Sequence, residues 1–190
     1  MTTLRCCQNA TCGPAEGQFP KSRAPNPAVP MNARDAIKIS IDSGAMITSE
    51  YLADLTDAEL LVRPCPGCNH INWQVGHLIV SENQMLGMAN PEAVTPLPAG
   101  FGEKYSRDHA GSDDPKHFCT KAELMQVYQE QRAATLAALE KATDEDLAKE
   151  TGVEWATTNA ALYSMQGSHW LMHAGQWAVV RRMLGRKPLF

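Results

Sequence analysis

The apolar residues of this chain recur at helical spacing from Met31 onward, and this periodicity limits the fold more than any other feature of the sequence. It predicts four long helices, over about residues 33–53, 69–89, 120–139 and 158–185. No alternating pattern typical of a strand is apparent. With 190 residues, of which 44% are hydrophobic, the chain is long enough to bury one sizeable core. An all-α fold is therefore expected.

Start and stop signals support these helices. Asn69, at the end of the Pro- and Gly-containing break at residues 64–69, is a candidate N-cap for the second helix. Thr120–Glu123 has the pattern of a capping box that opens the third helix. Gly185, followed by Pro188, gives the expected end of the fourth helix.

The segments between the helices indicate how the helices are arranged. Residues 55–61 predict a turn with a short helical piece, and residues 143–146 predict a polar break. Residues 90–119 form a connection of unusual length for a compact domain. A crossover between two helices that point the same way would account for it. The prediction is a four-helix bundle with a long crossover connection between helices two and three.

The first thirty residues have a different composition. They contain five prolines, several polar residues and few large aliphatic side chains, so they cannot bury enough apolar area to offset the entropy of ordering. They also lack the apolar core of a secretory signal. We therefore expect residues 1–30 to be a disordered extension and residues 31–190 to be the folded domain. Met31 is a candidate for the true start of the protein.

Charge and cysteine content restrict the partners and the compartment. The formal net charge of −4 argues against a nucleic-acid surface, and no apolar run is long enough to span a bilayer. Three of the six cysteines lie in the extension, and the other three suggest no disulfide framework, so a cytoplasmic location is expected. Cys65 and Cys68 have redox or zinc-knuckle spacing, but a turn made by Pro66 and Gly67 is the favoured interpretation.

Three histidines are the candidate metal ligands. His169 and His173 are four residues apart on the fourth predicted helix, so both lie on one face of it. His77, on the second predicted helix, is the candidate for a third ligand. Three imidazoles with one open position suit catalytic zinc, and also nickel or another late divalent ion. A surface or core-packed histidine pair is the simpler alternative.

Other side chains have weaker functional interpretations. Gln176 could orient a ligand or an imidazole from the face of the histidine pair, or it could be ordinary polar filler. Trp73 could wall the site or belong to the core, and Glu82 lies off the stripe of His77, so no catalytic base is identified. His109 and His117 are interpreted as residues of a solvated loop, and Cys119 is interpreted as an inert thiol.

The order and spacing of several motifs resemble the DinB superfamily of metal-binding four-helix bundles. The residues that carry the resemblance are the turn at 55–60, Asn69–Leu78, His169–Gln176 and Arg181–Pro188. The resemblance covers about residues 31–190 and implies a histidine triad, placed here on His77, His169 and His173. It also implies a homodimer. Members with assigned chemistry include bacillithiol transferases and mycothiol-dependent isomerases.

Two classes of function follow from this resemblance and from the histidines. The first is a metal-dependent enzyme that acts on a small-molecule substrate, by S-transfer with a low-molecular-weight thiol or alternatively by hydrolysis. The second is a non-catalytic, stress-related metal-binding protein in which the ion only joins two helices.

Overall fold

The computed structural model describes residues 31–189, so the expectations for the first thirty residues lie outside the described part. The described chain is mostly helical, as the sequence predicts. Its helices are α1 (Ala33–Ala53), α2 (Asp57–Leu60), α3 (Ile71–Ala89), α4 (Phe101–Lys104), α5 (Lys121–Lys141), α6 (Asp144–Ala148) and α7 (Asn159–Met183). Its strands are β1 (Glu150–Val153) and β2 (Ala156–Thr158).

Helices α3 and α5 point the same way, which confirms the predicted crossover. The side-chain amide of Asn72 donates to the carbonyl of Cys119 just before α5, at 2.8 Å. Further along both helices, the amide of Asn83 donates to the side-chain oxygen of Gln131, also at 2.8 Å. Because residue numbers rise together along the two helices, the connection between them must return along the length of the bundle.

Helices α1 and α7 approach each other most closely at two glycines. A Cβ atom added to Gly167 would lie 2.5 Å from the backbone oxygen of Ser40, a distance that side chains do not tolerate. A Cβ on Gly44 would lie 3.1 Å from the backbone oxygen of Gly167. At their carboxyl ends, Arg181 of α7 donates to the Tyr51 carbonyl. The two helices therefore run parallel, and α1 packs along the length of α7.

The long connection between α3 and α5 is organised rather than featureless. It contains α4 and three short 3₁₀ turns, at residues 91–93, 107–109 and 115–117. Arg63 holds it against the preceding loop, because its guanidinium bonds the carboxylate of Asp113 at 2.6 Å. The same guanidinium donates to the carbonyls of Cys68, Ala110 and Ser112.

The start of α3 differs from the prediction. The N-cap is His70 and not Asn69: the ring Nδ1 of His70 accepts from the backbone N–H of Trp73 at 3.0 Å. His70 can take this role because its other ring nitrogen, Nε2, bonds the Ser112 carbonyl at 3.2 Å, which keeps the fully buried ring satisfied.

The predicted turn before α3 is present. Gly67 has a φ of +81°, as the third position of a tight turn after a proline requires, and the Cys68 N–H bonds the Cys65 carbonyl at 3.1 Å. Cys65 and Cys68 also form a disulfide across this turn, a pairing that the sequence interpretation did not include.

Two further predictions need correction between α5 and α7. The segment at residues 143–146 is not a simple break, because Thr143 and Asp146 form a capping box that opens the short helix α6. The expectation of no strand is also wrong, since β1 and β2 form an antiparallel hairpin that pairs Glu150 with Thr158 and Val153 with Ala156. Strands of four and three residues are too short for an alternating pattern to stand out in the sequence.

Helix α7 begins and ends where the sequence predicts. Thr158 is its N-cap and accepts from the N–H of Ala161, and Gly185 follows its end with a φ of +72°. Among residues 31–189, no helix is both long and apolar enough to cross a membrane.

Candidate metal centre

Helix α7 carries two imidazoles on the face that it turns toward α3. His169 and His173 are one turn apart, and their ring centroids are separated by 5.0 Å. His173 is 9% exposed, whereas His169 is half-buried. The pair therefore lies at the edge of the core, with one ring deep and the other near the surface.

Helix α3 adds the third imidazole. The ring centroid of His77 lies 5.6 Å from that of His169 and 5.8 Å from that of His173. One ring nitrogen from each of the three histidines can be chosen so that all lie within 4.8 Å of one another. The structure thus brings together the three histidines that the sequence singles out, although 92 positions separate His77 from His169 along the chain.

Burial lowers the pKa of all three imidazoles below the ordinary value of 6.5. For His77, the nearby positive charge of Arg107 adds to the effect of burial. For His173, burial together with repulsion from the other two rings lowers the pKa to about 4. All three rings are therefore neutral at pH 7, which is the state that binds a metal ion.

Gln74 fixes the orientation of His173. The side-chain oxygen of Gln74 lies 2.9 Å from Nδ1 of His173, and the same oxygen accepts from Nε1 of Trp177 at 2.9 Å. The amide nitrogen of Gln74 donates to the carbonyl of Asn69 at 2.7 Å, so the oxygen must face the imidazole. Nδ1 of His173 therefore carries the proton, and Nε2 presents its lone pair.

The sequence interpretation missed Gln74 and considered Gln176 instead. Gln176 is exposed on α7, whereas Gln74 is 1% exposed and contacts the imidazole directly. Gln176 follows His173 by three residues but lies on the outer surface of the bundle. Gln74 precedes His77 by three residues and Gln176 follows His173 by three residues, so spacing in the sequence does not distinguish the two amides.

Trp73 supports His77 from one side. The two rings stack with a centroid distance of 5.0 Å and an interplanar angle of 3°. Trp73 is 5% exposed, and its Nε1 donates to the carbonyl of Ser106 at 3.0 Å. Trp73 is thus both a core residue and a wall of the site. It also joins His77 to the segment between α3 and α5 that contains Ser106 and Arg107.

A cavity opens beside the imidazoles. Its volume is about 240 Å³, and two of the three histidines, His77 and His169, form part of its wall. The rest of the wall is uncharged and consists of Ser81, Gln84, Met85, Met88, Trp155 and Met165. A molecule in this cavity would therefore lie against the edge of the histidine cluster.

Glu82 lies on α3 but is engaged in a buried network. Its carboxylate is 2.8 Å from the guanidinium of Arg132 and accepts from Thr135 at 2.8 Å and from Trp170 at 2.9 Å. Burial raises the pKa of Glu82, and these three partners oppose that rise. This carboxylate joins α3, α5 and α7, and it is not free to act as a base at the cavity.

The comparison with protein families identifies the chain. The model of the DinB superfamily matches residues 40–177, which is well over half of the sequence. The chain belongs to the DinB superfamily. The matched residues include His77, His169 and His173.

A solved structure shows the same fold as this DinB superfamily member. The crystal structure of the conserved protein of locus from Enterococcus faecalis superposes with a TM-score of 0.66 at 19% sequence identity. The match covers 83% of this chain and 100% of the other chain. No curated protein matches the sequence.

The donor atoms of this DinB site fit a divalent metal ion. Imidazole nitrogens suit zinc, nickel and other late first-row ions. The three rings are neutral at pH 7, and Gln74 holds His173 with its Nε2 free. The cluster can therefore hold a metal ion through His77, His169 and His173.

The weaker candidates lie outside this cluster. His109 and His117 pack against each other with ring centroids 4.0 Å apart, within the long connection. Nδ1 of His109 donates to the carbonyl of Glu103 at 2.8 Å, so this ring is held by its own loop. Cys119 is a half-buried free thiol at the start of α5. None of these side chains belongs to the imidazole cluster.

Proposed function

We propose that this DinB protein is a metal-dependent enzyme that transfers a low-molecular-weight thiol to an electrophile. The observation that carries the proposal is the meeting of three neutral imidazoles at the wall of a cavity. His77, His169 and His173 would hold the ion, which is zinc or nickel. When bound, such an ion supplies Lewis acidity that lowers the pKa of a coordinated thiol or water.

The chain's own residues prepare the site for that role. Gln74 fixes the protonated nitrogen of His173, and Trp73 fixes the plane of His77. Met85 and Met165 give the cavity beside the imidazoles an apolar wall. In the overall reaction, a bond forms between sulfur and the electrophilic carbon, the leaving group departs with the electron pair, and the thiol proton passes to solvent.

The wall of the cavity favours thiol transfer over hydrolysis. Within the described residues, the cavity is lined by no carboxylate that could accept a proton, and the nearby Glu82 is committed to Arg132. A thiol, with an ordinary pKa near ~8.5, ionises far more readily than water and so depends less on a base. Hydrolysis is therefore the second candidate.

An assay of the metal-loaded protein tests the proposal. Protein loaded with Zn²⁺ or Ni²⁺ is mixed with a panel of low-molecular-weight thiols and chlorodinitrobenzene, and the thioether product is measured. We expect thiol-dependent product from the wild type and at least ~100-fold less from His169→Ala. Ester or amide hydrolysis without thiol would support the second candidate. If the metal ion stabilised the protein against unfolding and no substrate were turned over, the ion would have a purely structural role.

We also propose that the protein forms a homodimer through the outer face of α7. Met172, Val179 and Met183 are 59%, 46% and 54% exposed and share one stripe of the helix. A second copy would cover these apolar side chains. We expect Val179→Glu to convert a dimer into a monomer in sedimentation experiments. Ile39→Glu, at a similarly exposed apolar position on α1, is the matched control.

A further inference from the structure

The cavity beside the imidazoles has a wall of unusual composition. Three of its eight lining residues are methionines, and a fourth is a tryptophan: Met85, Met88, Met165 and Trp155. Thioether and indole side chains are polarizable and adapt to apolar ligands of irregular shape. Besides the two histidines, the lining includes Ser81 and Gln84, so among residues 31–189 no charged side chain lines the cavity.

The hairpin places Trp155 over the mouth of this cavity. Trp155 lies in the turn between β1 and β2 and is 57% exposed, which is a high exposure for the largest apolar side chain. The next residue, Ala156, is 1% exposed and packs with Met85 and Leu162. The start of β2 is thus packed against the bundle, and the neighbouring turn residue Trp155 presents its indole ring to the cavity.

The depth of the wall is graded. Met85 is 5% exposed and forms the floor, whereas Met88, one turn later on α3, is 49% exposed and stands at the rim. The histidines occupy the opposite end of the cavity from Met88 along α3, since His77 precedes it by eleven residues. A molecule bound here would contact the apolar rim with its body and approach the imidazoles with its other end.

We propose that this cavity binds the apolar body of the electrophilic substrate and so selects the substrate class. This inference rests on the thiol-transfer function proposed above. The substrate class is a small uncharged molecule with an aromatic or aliphatic body and a carbon that carries a leaving group. The volume of about 240 Å³ exceeds the ~150 Å³ cavity that accommodates benzene, so a substituted ring fits.

The charge pattern supports an uncharged electrophile. Apart from an ion held by the imidazoles, the described residues of the cavity wall offer no charged side chain to pair with a charged substrate, and transfer of an unpaired charge into apolar surroundings is costly. The positive charge of Arg107 acts on His77 from the long connection, and Arg107 does not line the cavity.

Fluorine NMR with para-fluorotoluene tests the cavity without requiring turnover. The probe is titrated into the full-length chain, with and without added Zn²⁺, and the dissociation constant is measured. We expect Trp155→Ala and Met88→Glu to weaken binding by about fivefold or more, which corresponds to about 1 kcal/mol. Met46→Glu, at a position of 53% exposure on α1 outside the cavity, is the matched control and should bind as the wild type does.

The outcomes separate this inference from the proposed function. Equal binding by the wild type, Trp155→Ala and Met88→Glu would overturn the cavity proposal, even if thiol transfer were observed. Loss of binding in the two variants, together with no thiol transfer to any electrophile, would overturn the proposed function and leave an apolar binding site. A third measurement compares neutral and sulfonated aryl chlorides in the transfer assay. Preference for the sulfonated compound would also contradict the inference.

Discussion

The side-chain oxygen of Gln74 and Nδ1 of His173 lie 2.9 Å apart, on helices that are distant in sequence. The oxygen also accepts from Trp177, and the amide nitrogen of Gln74 is bonded to the Asn69 carbonyl. One amide thus sets the tautomer of His173, the most buried of the three clustered imidazoles. This contact makes the first turn of α3 part of the site, although that turn contributes no ligand atom.

Replacement of Gln74 by methionine should weaken metal binding. The variant keeps the volume of the side chain but removes the acceptor that holds Nδ1 of His173, so Nε2 is no longer fixed as the free nitrogen. Loss of such a supporting contact typically costs about 10–100-fold in metal affinity. Competition with a chromogenic chelator measures the change. Gln176→Met is the matched control, since Gln176 is exposed, and its affinity should equal that of the wild type.

His169→Ala should abolish stoichiometric metal binding while the helices persist. His169 is half-buried at the edge of the core, so its removal leaves the packing of α7 intact but leaves only two imidazoles. Elemental analysis after dialysis and circular dichroism check the two parts of this prediction. His109→Ala, in the long connection, serves as the control. One ion per chain in purified His169→Ala would exclude His169 from the ligand set.

The metal-free protein should lose stability as the pH falls below about 6.5. Burial depresses the pKa of His173 to about 4 in the folded chain, so the unfolded chain binds more protons between the two values. The free energy of unfolding therefore decreases from pH 6.5 toward pH 4, by the order of 1–3 kcal/mol for this group, and is unaffected above pH 7. Urea denaturation at several pH values measures it.

The same titration has two internal checks. His173→Phe removes the group whose pKa burial lowers to about 4, so the stability of this variant should fall less between pH 7 and pH 5. Added Zn²⁺ should protect the wild type near pH 7 and lose this effect in acid, because protons compete with the ion for the imidazoles. An identical acid loss in His173→Phe would contradict the assignment to His173.

Breaking the ion pair of Glu82 and Arg132 should be more harmful than replacing both residues. Glu82 is fully buried and Arg132 is 6% exposed, so removing one partner leaves the other charge unpaired at a cost of about 3–5 kcal/mol. Arg132→Met and Glu82→Gln are the single variants, and the double variant should recover part of the loss. A double-mutant cycle in urea measures the coupling. Additive losses would mean that the two charges do not depend on each other.

Two glycines of α7 should respond to alanine in opposite directions. A Cβ at Gly167 would collide with the backbone of Ser40 in α1, so Gly167→Ala should destabilise the protein by about 1–3 kcal/mol. Gly175 lies in the same helix with open space around its Cβ position, so Gly175→Ala should stabilise by about 0.5–1 kcal/mol. Thermal unfolding of both variants tests the close approach of α1 and α7.

Helical periodicity and capping signals are local, and they allowed the main fold to be predicted from the sequence. The capping box at Thr120 and the cap at Thr158 start helices where the structure has them. The parallel direction of α3 and α5 followed from the length of their connection. The hairpin and α6 were missed because each involves only a few residues. The cap at His70 was missed because it depends on a hydrogen bond between the ring and the carbonyl of the distant Ser112.

The candidate site was predictable in part. His169 and His173 follow from spacing within one helix, and His77 follows from its place on a second bundle helix. Gln74 could not be chosen over Gln176 from the sequence, because only packing reveals which amide faces the interior. The apolar cavity could not be predicted from the sequence either. Trp155 forms part of its wall, and the hairpin that carries Trp155 has no recognisable sequence pattern.

The placement of Trp155 separates substrate binding from metal binding, the two roles proposed for this site. The imidazoles belong to the helices α3 and α7, whereas the indole ring at the cavity mouth belongs to the turn of a hairpin whose strands have four and three residues. A change in the length or sequence of that turn would reshape the entrance and leave the ion-holding geometry untouched. Under the proposed function, exchange of this surface turn would alter which substrates the chain accepts without altering the bundle and its three rings.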